Sequence, residues 1–205
     1  MFQNVEWLFF DIGSTLLDES QAYSHRYQDI AAMANVPYTL VYETAEAFYR
    51  DGKKGDKEAA RQFGVPLPKW HSEDERLYSD AYSCLEHLHK RYKIGIIANQ
   101  LPGTTERLRH HNILQFIDLV IASAEEGVAK PDKRIFEIAL ERSACLPQNA
   151  VMLGDRIDND IIPAKKIGMN TIWIKQGYGI YWKFSGKEEI PSLIVENLTE
   201  LCKIL

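Results

Sequence analysis

Short hydrophobic runs alternate with amphipathic segments over much of the chain. Residues 5–10, 93–98, 118–122, 150–153 and 171–174 have the length of strands and are largely apolar on both faces. Strands buried on both faces are typical of parallel sheets, in which helices form the crossover connections. Amphipathic segments at residues 133–143 and 158–167 supply such helices. The pattern therefore predicts an α/β fold with a parallel sheet.

A long region after the first hydrophobic run contains no convincing strand. Tyr23, Tyr27 and Ile30 recur at helical intervals there, and an acidic segment at residues 72–75 favours the start of a long helix that extends to Tyr92. The sequence thus predicts a small helical domain at residues 17–88. It interrupts a core domain that comprises residues 1–16 and 89–205.

Composition narrows the classes of function. The chain has 205 residues and a formal net charge of −5, which disfavours nucleic acid as a partner because binding to phosphates needs a basic surface. No apolar run is long enough to span a membrane, and no basic segment precedes the first run as in a signal peptide. Cys84, Cys145 and Cys202 lack metal-site spacing and are expected to be reduced thiols. We therefore expect a cytoplasmic protein with a small-molecule substrate.

Polar residues follow four of the predicted strands. They comprise residues 11–15, Asn99-Gln100, Lys130-Pro131 and residues 154–160. The carboxyl ends of parallel strands meet at one edge of a sheet, so these groups are expected to converge. Carboxylates suit Mg²⁺ and a lysine suits a phosphoryl group, so the sequence predicts a site for both.

These segments, in this order, resemble the motifs of the haloacid dehalogenase-like (HAD) superfamily. The first motif of that family, Asp-x-Asp-x-Thr, resembles residues 11–15; the lysine motif resembles residues 126–136; and the acidic motif resembles residues 154–160. Residues 190–205 resemble the last strand and closing helix of the family. The resemblance covers nearly the whole chain and implies a Rossmann-like three-layer core with a small α-helical cap.

The resemblance also implies roles for individual residues. Asp11 would be the nucleophile that forms an aspartyl intermediate, and Lys130 would orient it. Asp11, Asp155 and the backbone carbonyl of Gly13 would bind Mg²⁺. Asp160 would lie beside them, either near the metal or holding Lys130. The implied activity is the Mg²⁺-dependent hydrolysis of a small phosphorylated metabolite.

Four further residues are predicted to contact the substrate. Ser14 and Thr15 carry hydroxyl groups in a turn whose amides can hold an anion, and Asn99 and Gln100 follow the second core strand. The oligomeric state and the identity of the substrate are left open by the sequence.

Two departures from the family pattern affect this assignment. The family's phosphatases carry a second aspartate, which acts as general acid and base, where this chain has Gly13, and the Ser or Thr at the end of the second core strand is Ala98. Loss of general acid–base help slows such chemistry by about two to four orders of magnitude. Asp18 and Glu19 are possible substitute donors.

Three alternatives therefore remain open. The dehalogenases of the family also lack the second aspartate, but they work without metal and have no need of Asp155 and Asp160. The phosphonate hydrolases use a lysine in the cap as a Schiff base, a role that would require Lys53, Lys54 or Lys57 to be buried. The third alternative is a non-catalytic protein that binds a metal or a phosphate ligand.

Overall fold

The structure is a computed structural model that describes residues 4–205. The strands are β1 (Trp7–Phe10), β2 (Leu17–Asp18), β3 (Arg76–Leu77), β4 (Lys93–Ala98), β5 (Leu119–Ala122), β6 (Ala150–Gly154), β7 (Asn170–Ile174) and β8 (Leu193–Val195). The α-helices are α1 (Ser20–Ala34), α2 (Tyr38–Arg50), α3 (Gly55–Gln62), α4 (Ala81–Leu88), α5 (Thr104–His110), α6 (Ser123–Glu126), α7 (Lys133–Ser143), α8 (Ile162–Lys166) and α9 (Leu198–Ile204).

Six strands form one parallel sheet in the order β5-β4-β1-β6-β7-β8. β1 lies between β4 and β6, and its last residue, Phe10, pairs with Ile96 on one side and with Leu153 on the other. The three central strands consequently end close to the same level, which brings the segments that follow them together. This arrangement confirms the predicted α/β fold with a parallel sheet.

Alternate residues of β1 pack into two separate hydrophobic clusters. Leu8 and Phe10 belong to a cluster that includes Leu85 of α4 and Leu201 of α9. Phe9 belongs to a cluster on the other face that includes Phe136 of α7. Successive side chains of a strand point to opposite faces, so helices on both faces produce the predicted three-layer core.

The chain divides into two compact units. Among the described residues, the sheet unit comprises residues 4–17, Leu77–Gly179 and Phe184–Leu205, and the helical unit comprises Asp18–Arg76 and Ile180–Lys183. This division differs from the predicted boundaries of 1–16, 17–88 and 89–205. Residues 77–88 join the sheet unit because α4 packs into its core.

The helical unit also includes a short segment from late in the chain. Tyr181 donates a hydrogen bond to Glu46 of α2 at 2.5 Å, and the Arg50 guanidinium lies over its ring, 4.4 Å from the centroid. These contacts explain why residues 180–183 group with the helices, although they follow β7 in the sequence.

The single helix predicted from residue 72 to Tyr92 is wrong. The structure has a 3₁₀ turn at Ser72–Asp74, then strand β3, and the α-helix begins only at Ala81. β3 pairs with β2 in a two-stranded sheet, so strand pairing overrides the local helical periodicity.

The helical unit has its own buried centre. Tyr27 and Ile30 of α1 are buried together with Val41 and Ala45 of α2. Gly55 opens α3 so close to α2 that a Cβ there would lie 2.2 Å from the carbonyl oxygen of Ala45. Across residues 4–205, no helix combines the length and apolarity needed to cross a membrane.

Candidate active site

The site lies at the carboxyl edge of the sheet and is centred on Asp11. Asp11 follows β1 directly, and its backbone amide donates to the carbonyl oxygen of Leu153 at 2.8 Å. The Nζ atom of Lys130 lies 2.8 Å from Oδ1 of Asp11 and 2.5 Å from Oδ1 of Asp160. One ammonium group therefore bridges two carboxylates from different parts of the sequence.

Burial makes this bridge electrostatically strong. The side chains of Lys130, Asp160 and Asp11 are 2%, 0% and 13% exposed, respectively. Burial by itself lowers the pKa of Lys130, but the charges of Asp11 and Asp160 outweigh it and hold that pKa above its usual value. Lys130 is accordingly a permanent positive charge beside Asp11.

Asp160 is held on both of its carboxylate oxygens. Oδ1 accepts from Lys130, and Oδ2 accepts from the backbone amide of Arg156 at 3.0 Å. Burial raises the pKa of Asp160, and the charge of Lys130 opposes that rise. Gly154 makes room for this carboxylate, because a Cβ at Gly154 would lie 2.3 Å from Oδ2 of Asp160.

The donor set of the site suits a hard divalent cation. One carboxylate oxygen from each of Asp11, Asp155 and Asp160 lies within 4.8 Å of the other two. These three carboxylates outnumber the positive charges of Lys130 and Arg156 that act on them, which leaves an excess of negative charge that a divalent cation would balance. Mg²⁺ prefers oxygen ligands such as these, so the residues present fit it.

The turn after Asp11 contains an unpaired buried hydroxyl. Ser14 adopts a left-handed backbone conformation with φ of 53°, and Thr15 is fully buried. Within the described residues, Oγ1 of Thr15 has no hydrogen-bond partner. A buried polar atom without a partner is costly, so this hydroxyl is suited to contact a bound group. Gly13, in the same turn, supplies no side-chain acid.

Asn99 and Gln100 form hydrogen bonds with neighbouring segments of the protein. The Asn99 side chain accepts from the backbone amide of Lys130 at 2.7 Å and donates to its carbonyl at 2.8 Å. The Gln100 backbone amide donates to Oγ of Ser123 at 3.0 Å, and its side chain accepts from Arg107. Asn99 thus fixes the backbone of the residue that bridges Asp11 and Asp160.

A glycine-rich segment after β7 packs against the site. A Cβ at Gly177 would lie 2.5 Å from Oγ of Ser14, and one at Gly179 would lie 2.1 Å from the carbonyl oxygen of Asp155. That carbonyl also accepts from the indole of Trp173 at 2.8 Å. The position of this segment after the fifth predicted core strand indicates that it lies near the edge of the site. The Gly-x-Gly spacing was a signal that the backbone approaches another group closely.

Comparison with known proteins supplies the family. A sequence profile described as haloacid dehalogenase-like hydrolase matches residues 8–174, which is most of the chain. The chain belongs to the haloacid dehalogenase-like hydrolase family. This confirms the resemblance drawn from the motifs and the prediction of a hydrolase.

Two relatives in this family align over nearly their whole length. A glyceraldehyde 3-phosphate phosphatase of Pyrococcus furiosus is 28% identical, and the alignment covers 99% of this chain and 94% of that protein. The pyrimidine 5'-nucleotidase YjjG of Escherichia coli is 27% identical, with 94% and 99% covered.

A solved HAD structure has a similar fold. The putative HAD hydrolase YfnB of Bacillus subtilis, determined with bound magnesium, superposes with a TM-score of 0.71 at 22% identity and covers 99% of both chains. This similarity supports the fold.

Proposed function

We propose that this HAD hydrolase is a Mg²⁺-dependent phosphatase of small phosphorylated metabolites, with Asp11 as the nucleophile. The observation that carries the proposal is the contact between Asp11 and the buried Lys130 at the carboxyl edge of the central strand. The cluster of Asp11, Asp155 and Asp160 supports it, as does the similarity to two enzymes named as a phosphatase and a nucleotidase.

In the proposed reaction, the carboxylate of Asp11 attacks the phosphorus of the substrate. The phosphorus–oxygen ester bond breaks, its electron pair stays on the departing oxygen, and that oxygen takes a proton from water. A second water then attacks the aspartyl phosphate, releasing phosphate and regenerating Asp11. Lys130 holds Asp11 in position and stabilises the negative charge that builds up during both transfers.

Asp11 and Asp155, with the backbone carbonyl of Gly13, would hold Mg²⁺. When bound, the cation supplies positive charge beside the phosphoryl oxygens. Asp160 is given the role of positioning Lys130, because its oxygens already accept from Lys130 and from the Arg156 amide. YfnB, which has a similar fold, was determined with bound magnesium, and this supports Mg²⁺ as the proposed cation.

Substrate contacts are proposed for the turn and for the neighbouring strand end. The buried hydroxyl of Thr15 would donate to a phosphoryl oxygen, which would give it the partner that it needs. Ser14, Asn99 and Gln100 are predicted to line the same pocket. A cytoplasmic location and the role of the helical unit as a substrate-selecting cap also stay predictions.

The phosphonate-hydrolase alternative is less well supported. It needs a lysine that is buried and therefore neutral enough to form a Schiff base. Lys53, Lys54 and Lys57 are all exposed, and Lys53 pairs with Asp51 at 2.6 Å. The dehalogenase alternative is also less well supported, because chemistry without a metal does not require the cluster of Asp11, Asp155 and Asp160.

The proposal is tested by measuring phosphate release from a panel of phosphomonoesters, with Mg²⁺ and with a chelator. The variants are Asp11→Asn, Asp155→Asn and, as a matched control, Glu137→Gln, which removes a carboxylate from the outer helix α7. We expect Mg²⁺-dependent release by the wild type and by Glu137→Gln, and none by Asp11→Asn. Acid-quenched wild type should carry a phosphoryl group on Asp11 by mass spectrometry.

Two results would overturn the proposal. One is undiminished turnover by Asp11→Asn. The other is an inactive wild type that nevertheless binds Mg²⁺, which would favour the non-catalytic alternative.

A further inference from the structure

The helical unit contains a second cluster of potential metal ligands, made of residues that the proposed reaction does not use. His25 and Asp29 lie one turn apart on the same face of α1, and His71 immediately precedes the 3₁₀ turn Ser72–Asp74. One ring nitrogen of each histidine and one carboxylate oxygen of Asp29 all lie within 4.8 Å of one another. The sequence separates Asp29 and His71 by 42 positions.

Each imidazole ring contacts a carboxylate through its Nδ1 atom. Nδ1 of His25 contacts Oδ2 of Asp74 at 2.7 Å, and Nδ1 of His71 contacts Oε1 of Glu73 at 3.2 Å. Nε2 of His71 faces Oδ2 of Asp29 at 2.7 Å. Histidines that bind metals have the same arrangement, in which a carboxylate holds one ring nitrogen and directs the other to the metal.

The charges around these rings favour a cation. The rings of His25 and His71 stack with centroids 3.5 Å apart and planes 12° from parallel. Asp29, Glu73 and Asp74 place three carboxylates against the two rings. Because two imidazoles carry at most two positive charges, these groups together keep an excess of negative charge whatever the protonation of the rings.

We propose that His25, Asp29 and His71 form a binding site for a divalent transition metal of the zinc class within the helical unit. Two imidazole nitrogens and one carboxylate oxygen are typical zinc ligands, whereas Mg²⁺ prefers oxygen alone. The two clusters of this chain therefore select different cations. Because His71 lies far from α1 in the sequence, the bound ion would fasten the segment before β3 to the first helix.

Only side-chain movement is needed to form the site. In a tetrahedral site with zinc–nitrogen bonds of about 2.0–2.1 Å, ligand atoms lie roughly 3.3 Å apart. The contact between His71 and Asp29 would open by about half an ångström. The ring of His25, whose side chain is 43% exposed, would tilt out of the stack toward them while Nδ1 keeps its contact with Asp74.

The test measures Zn²⁺ binding by the tag-free, full-length chain after chelator dialysis, with excess Mg²⁺ present to fill the carboxylate site. Affinity and stoichiometry come from competition with a chromogenic chelator, and Co²⁺ substitution reports the ligand set by its visible absorption. The variants are His25→Gln, His71→Gln and Asp74→Asn, with His110→Gln as a control that removes an exposed histidine of the sheet unit.

We expect the wild type and His110→Gln to bind one Zn²⁺ with equal affinity and to give an intense Co²⁺ spectrum. His25→Gln and His71→Gln should lose both signals, and Asp74→Asn should weaken the affinity by about 10–100-fold. Far-UV circular dichroism identifies any variant that fails to fold; because the His25 side chain is partly exposed, His25→Gln should retain the native spectrum.

The proposal is overturned if a folded His25→Gln binds Zn²⁺ with the stoichiometry and affinity of the wild type. It is equally overturned if the wild type shows no Zn²⁺ binding in the presence of Mg²⁺. Neither readout depends on phosphatase activity, so this inference and the proposed function can fail separately.

Discussion

Replacing Lys130 by Met should strongly destabilise the sheet unit. The substitution keeps a similar side-chain volume but removes the positive charge that bridges Asp11 and the fully buried Asp160. Breaking a buried ion pair by removing one partner costs about 3–5 kcal/mol, because the other charge stays buried without compensation. For a chain of this size, that corresponds to a fall of roughly 6–20 °C in Tm.

The assay is differential scanning calorimetry of the metal-free chain, because a bound cation would itself compensate the carboxylates. Hydrogen exchange of peptides from β1 and β6 then assigns the transition to the sheet unit. Lys175→Met is the matched control: Lys175 pairs with Glu196 at 2.7 Å near the surface of the same unit. Such exposed pairs contribute at most about 1 kcal/mol.

A second variant separates charge from packing. Adding Asp160→Asn to Lys130→Met removes the uncompensated buried charge, so the double variant should melt above Lys130→Met alone. The reasoning is refuted if Lys130→Met melts within about 2 °C of the wild type, or if the double variant melts below the single one, since the electrostatic account of the cluster would then be wrong.

Three further predictions follow from individual positions. Gly13→Asp should raise kcat/KM for phosphomonoesters with poor leaving groups by about 10²–10⁴-fold, which is the usual effect of a general acid and base. Unchanged kinetics would show that another group already supplies the proton. Gly179→Ala should cost about 1–3 kcal/mol by calorimetry, because its Cβ would clash with the carbonyl of Asp155, and an unchanged Tm would contradict the close approach. Hydrogen bonding between Cys84 and Cys202 lowers the pKa of Cys202 and raises that of Cys84, and Cys84 is also the more buried of the two. Alkylation followed by mass spectrometry should therefore modify Cys202 before Cys84, and preferential modification of Cys84 would contradict this.

The positions of the proposed site residues along the fold could be predicted because each lies next to a strong local signal. Asp11 directly follows β1, Asp155 directly follows β6, and Lys130 precedes α7, whose bounds match the predicted 133–143. A residue that follows a buried strand has its position fixed by that strand, so the sequence can place it at the edge of the sheet.

The predicted helix from residue 72 to Tyr92 failed for a related reason. Its apolar spacing was helical, but Leu77 pairs as part of β3 with β2, a segment far away in the sequence. Hydrogen bonds between distant segments are invisible to a local pattern. The expected boundary at residue 88 differs from the division at Leu77, because α4 packs into the core of the sheet unit.

The histidine cluster shows the same limit in the helical unit. The sequence shows that His25 and Asp29 lie four positions apart on one predicted helix. It does not show that His71, which is distant in the sequence, lies beside them in the folded protein. Likewise, the sequence did not indicate that Gly179 packs against Asp155.

The sequence by itself determined the α/β class, the order of the five predicted core strands along the chain, and the residues at the ends of those strands, because these follow from local hydrophobic patterning. Only the tertiary structure decided which strands are neighbours, that Lys130 bridges Asp11 and Asp160, and that two histidines stack beside Asp29. Those features depend on contacts between residues far apart in the chain, and such contacts form only when the whole core packs.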